Sequence, residues 1–303
     1  KQEQQELLNI VIVGGGATGI EVAGILSEMK KFVLPNDYPD MSSSLMHIYL
    51  IEAGPRLLAG MSEESSAHAE QFLREMGVNI LLNKRVVDYR DHKVVLEDGT
   101  EIATRTFIWV SGVTGVTIGN LDASLIGRGG RIKVDSFNRV EGMNNVFAIG
   151  DQCIQLADEN YPNGHPQLAQ VAIQQGELLA KNLIRMEKGQ EMKPFHYRNL
   201  GSMATVGRNR AVAEFSKVKM QGWFAWVMWL VVHLRSILGV RNKVIVLLNW
   251  VWNYFTYDQS MRMIVYARKA KEIRDREKVE ETTHWGKELV QEEKNPSITS
   301  SSK

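Results

Sequence analysis

The sequence has 303 residues, of which 44% are hydrophobic and 23% charged, so it can form one large domain or two ordinary ones around a buried core. Its formal net charge of +1 gives no general attraction for nucleic acid, and we expect no nucleic-acid partner. The single cysteine, Cys153, excludes an intrachain disulfide and an iron–sulfur cluster held by this chain alone. We expect no metal site, because no cluster of metal-ligating residues stands out, and we expect a reducing, cytoplasmic setting.

The first element is the short apolar run NIVIV, which is rich in β-branched residues and predicts a buried parallel strand over residues 9–13. The six residues after it match the pattern G-x-G-x-x-G of dinucleotide-binding turns: Gly14, Gly15, Gly16, Ala17, Thr18 and Gly19. A segment with helical spacing, IEVAGILSEMKKF, follows at once. Glycines here permit a tight turn, approach of a pyrophosphate to the backbone and close packing of helix on strand, while the helix N-terminus supplies amide donors.

An acid follows the second predicted strand, LMHIYLIEAG, at Glu52. Such an acid can bind both ribose hydroxyls of an adenosine and repels a 2′-phosphate, so it favours NADH over NADPH. The spacing from the glycines is longer than the usual distance of about 20 residues, because LPNDYPDMSSS is predicted to form a loop. The alternative is that Glu52 is only a solvated strand end.

Two further residues are candidates for contact with the nicotinamide. Glu21 lies in the first turn of the predicted phosphate-binding helix, next to the ligand crevice, although an acid there is also favoured by the helix dipole alone. The run RTFIWVSGV predicts a buried strand ending at Gly112, and ligands bind beyond the carboxyl ends of such strands. Between these elements, a helix ended by Gly77, a strand and a hairpin around Asp98 complete a small nucleotide-binding domain.

A second group of motifs lies further along the chain. The segment NNVFAIGDQCIQ predicts a strand over residues 146–149 followed by Gly150 and Asp151, or an ordinary strand-to-turn junction. The segment HPQLAQVAIQQGELLAKNLI predicts a helix with Pro166 in its first turn. Gln170 and Gln174 are four residues apart on one helix face and could together bind a carbonyl, or form a solvated polar face.

At this point the chain resembles the type II NADH:quinone oxidoreductases, the single-subunit, non-proton-pumping NADH dehydrogenases. GGGATGIEVAG, YLIEAGPRLL, VFAIGD and AQVAIQQG stand in that family's order, and the resemblance covers residues 8 to 270. It implies that NADH reduces FAD and that two electrons then pass to a membrane quinone at Gln170 and Gln174. It also implies that Glu21 lies at the nicotinamide–flavin stack, that Asp151 binds the ribityl chain, and that Leu168, Ala169 and Gln170 lie near the flavin's pyrimidine end.

The resemblance has one large departure, since the family's first glycine-rich unit, which binds the FAD pyrophosphate, has no counterpart here. We therefore expect an N-terminally truncated chain of the α/β class, with a Rossmann-like NADH-binding domain followed by a partial FAD-binding domain and a C-terminal α-helical membrane-association segment. The expected divisions are the NADH domain at 8–119, the returning part of the FAD domain with the quinone-site helix at 120–187, a short β-region with amphipathic helices at 188–270, and a charged, partly disordered tail at 271–303.

The C-terminal segment at 222–255 is rich in tryptophan, and the region before and within it is basic. Its bases are Lys217, Lys219, Arg235, Arg241 and Lys243. Because His233 and Arg235 interrupt its first apolar run and its second run is short, we expect a helical hairpin lying in the interface and attracted to anionic lipid rather than a membrane span. This makes the protein a peripheral one on the cytoplasmic face of the inner (plasma) membrane. A core helix pair or a homodimer interface remains an alternative.

Two other functions stay open. The first is a soluble NAD(P)H-dependent flavin reductase acting on another acceptor, which the glutamine motif and the tryptophan-rich segment disfavour. The second is a module that binds NADH and associates with membranes without FAD and without catalysis, which the absent first glycine unit favours.

Overall fold

The computed structural model describes residues 2–39, 42–116, 118–216 and 218–256. The chain forms two compact units, Lys1–Val246 and Leu247–Lys303. The second unit is described only to Thr256, where it continues the last helix and exposes Leu248, Trp252 and Phe255. The tail expected at 271–303 lies outside the described residues.

A four-stranded sheet with the order β3-β2-β1-β7 forms the centre of the first unit, and all its pairings are parallel. Its strands are β1 (Asn9–Val13), β2 (His47–Ile51), β3 (Val78–Leu81) and β7 (Thr106–Trp109). The order reverses at β1, which places β2 on one side of it and β7 on the other. This confirms the expected α/β class and Rossmann-like topology. However, β7 is an edge strand with Trp109 exposed, so the prediction of a buried strand there was wrong.

The two faces of β1 are buried against different layers, because successive side chains of a strand point to opposite sides. Ile12 packs with helix α2 (Ala17–Glu28) and helix α4 (Glu63–Glu75). Val11 and Val13 pack instead against a three-stranded antiparallel sheet. That sheet consists of β4 (Val86–Arg90), β5 (Lys93–Leu96) and β6 (Glu101–Ala103). The hairpin predicted around Asp98 is the β5–β6 connection.

Short helical segments flank β1 and α2. Helix α1 (Gln2–Leu8) precedes β1, and a π-helix (Met29–Val33) extends α2. The segment expected to be a loop contains the one-turn helix α3 (Leu34–Asp37), because Pro35 suits the first turn of a helix, and a 3₁₀ turn at Ser43–Leu45.

The next part of the chain carries strands β8 (Ile132–Val134) and β9 (Cys153–Gln155), which pair in parallel, and helix α5 (Ala169–Glu187). The strand predicted at 146–149 is absent as a regular strand. Instead, Phe147 forms a single bridge to Arg139, and Gly150–Gln152 is a 3₁₀ turn. Pro166 lies before α5 rather than in its first turn, since Leu168 has extended backbone angles at the helix N-cap.

The last part consists of an antiparallel sheet and two helices. The sheet contains β10 (Ser202–Gly207), β11 (Arg210–Phe215) and β12 (Val218–Gln221), and the helices are α6 (Gly222–Ser236) and α7 (Val240–Thr256). Ala204, Val206 and Val212 join the same core as Ile20 and Ala23 of α2. The sheet of β10, β11 and β12 therefore lies against α2, the helix that follows the glycine turn.

Among the described residues, no helix is both long and apolar enough to cross a membrane.

Candidate functional site: a nucleotide crevice and a glutamine helix

The glycine turn lies where the ends of β1 and β7 meet, at the point where the strand order reverses. Gly14 has φ of +117°, and a Cβ there would lie 2.7 Å from the Val110 carbonyl oxygen. Only glycine fits both the backbone angle and the close approach. Gly112, with φ of +95° and open space around it, continues the β7 side of the same crevice. In sheets of this topology, ligands bind at this position.

The turn is open on its outer side and closed on its inner side. A Cβ on Gly16 would meet nothing within 4 Å, and Ala17 and Thr18 are exposed. A Cβ on Gly19 would lie 1.9 Å from the Gly14 carbonyl oxygen, so α2 can approach the strand only because residue 19 has no side chain. The exposed residues and the N-terminus of α2 therefore form a cradle that fits a pyrophosphate.

Glu52 lies directly after β2 and holds the turn in place. Its Oε2 accepts a hydrogen bond from the Gly15 N–H (2.6 Å), and its Oε1 accepts one from the Gly54 N–H (2.7 Å). Each carboxylate oxygen can accept more than one hydrogen bond, so both can still meet ribose hydroxyls. The side chain thus supports the backbone of the turn in addition to any role in nucleotide recognition.

Glu52→Gln is expected to separate these two roles. Glutamine keeps one side-chain oxygen for a backbone N–H but removes the charge that would repel a 2′-phosphate, so the preference for NADH over NADPH should fall by about tenfold. Titrating the chain with each nucleotide and following nucleotide fluorescence gives the two dissociation constants. Glu52→Ala, which leaves both N–H groups without their partner, should weaken binding of both nucleotides. An unchanged preference in Glu52→Gln would reject the ribose role.

Glu21 lies in the first turn of α2, but the described contacts of its carboxylate lead toward β10 and α6. The Thr205 N–H points at Oε1 from 3.5 Å, the Trp229 side chain hydrogen-bonds to the carboxylate, and His233 lies close enough to act on its charge. The His233 ring stacks on Trp229 at 3.8 Å, and its Nδ1 donates to the Trp229 carbonyl. Burial raises the pKa of Glu21 above its ordinary value, and these three neighbours oppose that shift only in part.

The raised pKa predicts a pH-dependent effect of Glu21→Gln on stability. The unfolded chain gives up this proton at lower pH than the native chain, so wild-type stability falls as pH rises from the ordinary glutamate range through the raised pKa. Glutamine has no charge to bury, so the variant should melt at a higher temperature than wild type at pH 8. At pH 4 the difference should disappear. Thermal unfolding followed by circular dichroism checks this, and a variant less stable than wild type at pH 8 would contradict it.

The second group of predicted residues assembles around the start of α5. Gly150, with φ of +64°, would place a Cβ 3.2 Å from the Ala172 Cβ, so the turn packs directly on the helix. The Asp151 carbonyl accepts from Gln167 Nε2 (3.3 Å), and Asp151, Leu168 and Ala169 are exposed beside one another. The Gly150 N–H donates to Oε1 of the buried Gln175 (2.7 Å). Gln175 was not predicted from the sequence, although the paired glutamines in AQVAIQQG were a signal for it.

Gln170 and Gln174 both bind the backbone of a segment that runs antiparallel to α5, which we call the strap (residues 193–201). Gln170 Nε2 donates to the Gly201 carbonyl and its Oε1 accepts from the Leu200 N–H, both at 3.0 Å. Gln174 Nε2 donates to the Arg198 carbonyl (2.9 Å), and its Oε1 accepts from the Arg198 N–H (3.1 Å). A cavity of about 280 Å³ opens beside Gln174 and is lined in part by Leu178 and Phe195. The glutamine face of α5 was predicted from the sequence, but the strap that covers it was not.

The predicted residues thus form two groups. The first contains the glycine turn, Glu52 and Gly112, and the second contains Gly150, Asp151, Leu168, Ala169, Gln170 and Gln174. Two stretches of chain bridge them. The strap runs directly into β10, whose Thr205 meets Glu21. The stretch after β7 binds the Gln152 amide through both backbone groups of Val116 (2.8 and 2.7 Å).

Comparisons with known proteins identify the family of the stretch that contains both groups. Residues 1–176 match the model of the pyridine nucleotide-disulphide oxidoreductases, and residues 199–257 match that of the NDH2 C-terminal domain. The type II NADH:quinone oxidoreductase NdhA of Mycobacterium tuberculosis is 35% identical over 261 residues, covering 82% of this chain and 54% of that protein. The internal alternative NAD(P)H-ubiquinone oxidoreductase A1 of Arabidopsis thaliana is 32% identical, and the match covers 84% of this chain and 52% of that protein. The chain therefore spans about half the length of these relatives.

A solved structure shares the fold. NDH2 of Plasmodium falciparum, in complex with NADH, superposes with a TM-score of 0.75 at 20% identity, covering 84% of this chain and 68% of that one. At this level of identity the likeness concerns the fold alone.

Proposed function

Because the chain belongs to the pyridine nucleotide-disulphide oxidoreductase family, we propose that it carries the NADH-binding and quinone-side parts of a type II NADH:quinone oxidoreductase. The observation that carries the proposal is the presence, in one compact unit, of the open glycine turn and of the glutamine helix α5. We retain the domain divisions at 8–119, 120–187 and 188–270 as part of the proposal.

The residues present fit a nicotinamide dinucleotide. The pyrophosphate would lie over the open Gly16 and against the first amides of α2, and the adenosine ribose would meet Glu52. Gly112 and Glu21 would border the nicotinamide. Support for this arrangement comes from the exposed backbone at Gly16 and Gly112, which leaves room for a ligand.

The residues around Gly150 fit one side of a flavin. Asp151 would bind the ribityl chain, and Leu168, Ala169 and Gln170 would border the pyrimidine end at the uncapped N-terminus of α5. When bound, FAD supplies the two-electron carrier between the nicotinamide and a quinone. The chain's own contribution is orientation: Gln175 holds the Gly150 turn against α5, and Gln170 and Gln174 present amides toward the acceptor.

We propose a membrane quinone as the electron acceptor, which would reach the site from the lipid surface. Trp223, Phe224 and Val231 of α6 are exposed, as are Arg235 and Arg241, which suits an interfacial helix on anionic lipid. Lys219 pairs with Glu64 (3.1 Å), so it contributes less to such a surface. We place the protein peripherally on the cytoplasmic face of the inner membrane. Co-sedimentation with anionic but not neutral vesicles is expected, and equal recovery with both would count against it.

One experiment tests the central proposal. The chain is incubated with FAD, free cofactor is removed, and a visible spectrum is recorded before and after addition of NADH and a soluble quinone. Flavin absorbance that NADH bleaches and quinone restores supports the oxidoreductase. NADH binding without retained flavin supports the alternative of a cofactor-binding module. Reoxidation by another acceptor but not by quinone would favour the flavin reductase.

A further inference from the structure

A buried polar pair lies in the loop between β9 and α5, and neither of its residues has been assigned a role above. His165 Nε2 donates to Asp158 Oδ2 at 3.0 Å, and the two side chains are almost fully buried. Asp158 Oδ1 also accepts the Asn160 N–H at 3.0 Å. Hydrogen bonds to both of its carboxylate oxygens therefore hold Asp158 in place, and one of them comes from His165.

The strap is held at this pair through its middle residues. The His165 ring meets the Phe195 ring edge-on at 5.2 Å and the Tyr197 ring at 5.9 Å. Tyr161 completes the aromatic cluster, lying 5.1 Å from His165 and 5.3 Å from Tyr197. The backbone N–H of Tyr197 faces the Asp158 carboxyl group and favours its ionised form. Two ring contacts, from Phe195 and Tyr197, and the polar contact of the Tyr197 N–H thus connect the strap to the pair.

The strap in turn fixes the orientation of the two glutamine amides. Arg198 directly follows Tyr197, and its N–H donates to Gln174. The N–H of Leu200, two residues further along the strap, donates to Gln170. Each amide uses one N–H and one oxygen lone pair on the strap, which leaves one N–H and one lone pair for a ligand. An amide bound through both ends cannot flip, so the strap decides where the remaining N–H points.

A role in stability alone explains the pair poorly. Buried polar pairs are costly to desolvate, and apolar side chains of similar volume often serve stability as well or better. Within the described part of the chain, His165 Nδ1 and the Tyr197 hydroxyl are also buried without a hydrogen-bond partner. Such a cluster suits a site where geometry matters more than stability.

We propose that the Asp158–His165 pair is a positioning device that anchors the strap and thereby orients the Gln170 and Gln174 amides toward their ligand. The part of this inference that concerns a quinone rests on the proposed function. Asp158 and His165 touch neither the quinone nor the flavin; they act through Tyr197 and the strap.

Amide hydrogen exchange on the 303-residue chain, followed by NMR, tests the anchor. In His165→Gln and Asp158→Ala, protection of the Arg198 and Leu200 amides should fall by about tenfold relative to β1 amides in the same sample. The side-chain amide resonances of Gln170 and Gln174 should lose their separate shifts. Asp158→Asn, which keeps an oxygen for the Tyr197 N–H, should restore most of the protection. Unchanged protection in His165→Gln, the variant more certain to fold, overturns the proposal.

Asn182→Ala is the matched control, because Asn182 binds the far end of the same strap through both backbone groups of Lys193 (2.8 and 2.9 Å). It should expose the Lys193 amide and leave Arg198 and Leu200 protected. A second readout is the affinity for a short-chain ubiquinone analogue, from tryptophan fluorescence. In His165→Gln this affinity should weaken about tenfold while NADH affinity stays unchanged. If the strap loosens in His165→Gln but the quinone affinity is unchanged, the positioning role is overturned. If the wild-type chain binds no quinone, the proposed function is refuted, and the hydrogen-exchange data alone decide whether the pair anchors the strap.

Discussion

A Gly24→Ala variant is expected to lose a large part of its folding stability, about 3 kcal/mol or more. A Cβ at position 24 would lie 1.8 Å from the Val206 carbonyl oxygen and 2.6 Å from its carbon, so α2 and β10 would have to move apart. Backbone atoms on both sides leave no flexible side chain to give way. Val206 belongs to the main core with Ile20 and Ala23, so the separation would open that core.

Urea unfolding of the variant beside wild type measures this loss, and Gly16→Ala is the matched control. A Cβ on Gly16 meets nothing within 4 Å, and the residue has φ of −74°, so this variant should fold with nearly wild-type stability. It should nevertheless bind NADH more weakly, since the added methyl group lies where a pyrophosphate would approach. Equal stabilities of the two variants would mean that α2 and β10 do not pack as closely as described.

The second large effect is expected for the double variant Gln170→Ala with Gln174→Ala. On the proposed function, quinone reduction by protein reconstituted with FAD should fall by roughly a hundredfold, because two oriented amide donors are lost. Reduction of the flavin by NADH should stay close to wild type, since the glycine turn and Glu52 lie in the other group of residues. Stopped-flow absorbance separates the two half-reactions: NADH bleaches the flavin, and quinone restores its colour.

Asn182→Ala again serves as the comparison, because it removes an amide of the same helix that binds the strap away from the proposed acceptor. It should leave both half-reactions nearly unchanged. Equal losses of both half-reactions in the double variant would argue that the glutamines serve only the packing of the strap. A loss confined to flavin reduction would contradict the assignment of these residues to the quinone side.

The alternation of apolar residues and the glycine turn could be interpreted from local sequence. NIVIV, the glycines and the following helix form in the predicted order because the pattern of apolar residues and glycines that marks each of them spans only a few residues, although β1 itself pairs with the distant strands β2 and β7. Glu52 could be found for the same reason, since it directly follows a strand. The four-residue spacing of Gln170 and Gln174 likewise placed them on one face of α5.

Other features depend on contacts that are distant in the sequence. On helix propensity alone, alanine at position 24 should be better than glycine by about 1 kcal/mol, and only the approach of Val206 reverses the sign. The strand predicted at 146–149 has suitable residues, but it makes only one bridge to a neighbouring strand, so its pairing stays incomplete. Trp109 is exposed because β7 is at the edge of its sheet, and the apolar run containing it carries no sign of that position.

The sequence by itself therefore determined the class of fold, the glycine turn and the residues of the glutamine face, because these follow from periodicity and from the conformational limits of glycine. Only the tertiary structure decided what those residues touch. In the folded chain, the Glu21 carboxylate faces Thr205 and α6, and both glutamine amides are hydrogen-bonded to the strap. The strap in turn contacts Asp158 and His165. The physical reason is that hydrogen bonds between segments require the chain to bring them together, and no local pattern records which distant backbone group a polar side chain will meet.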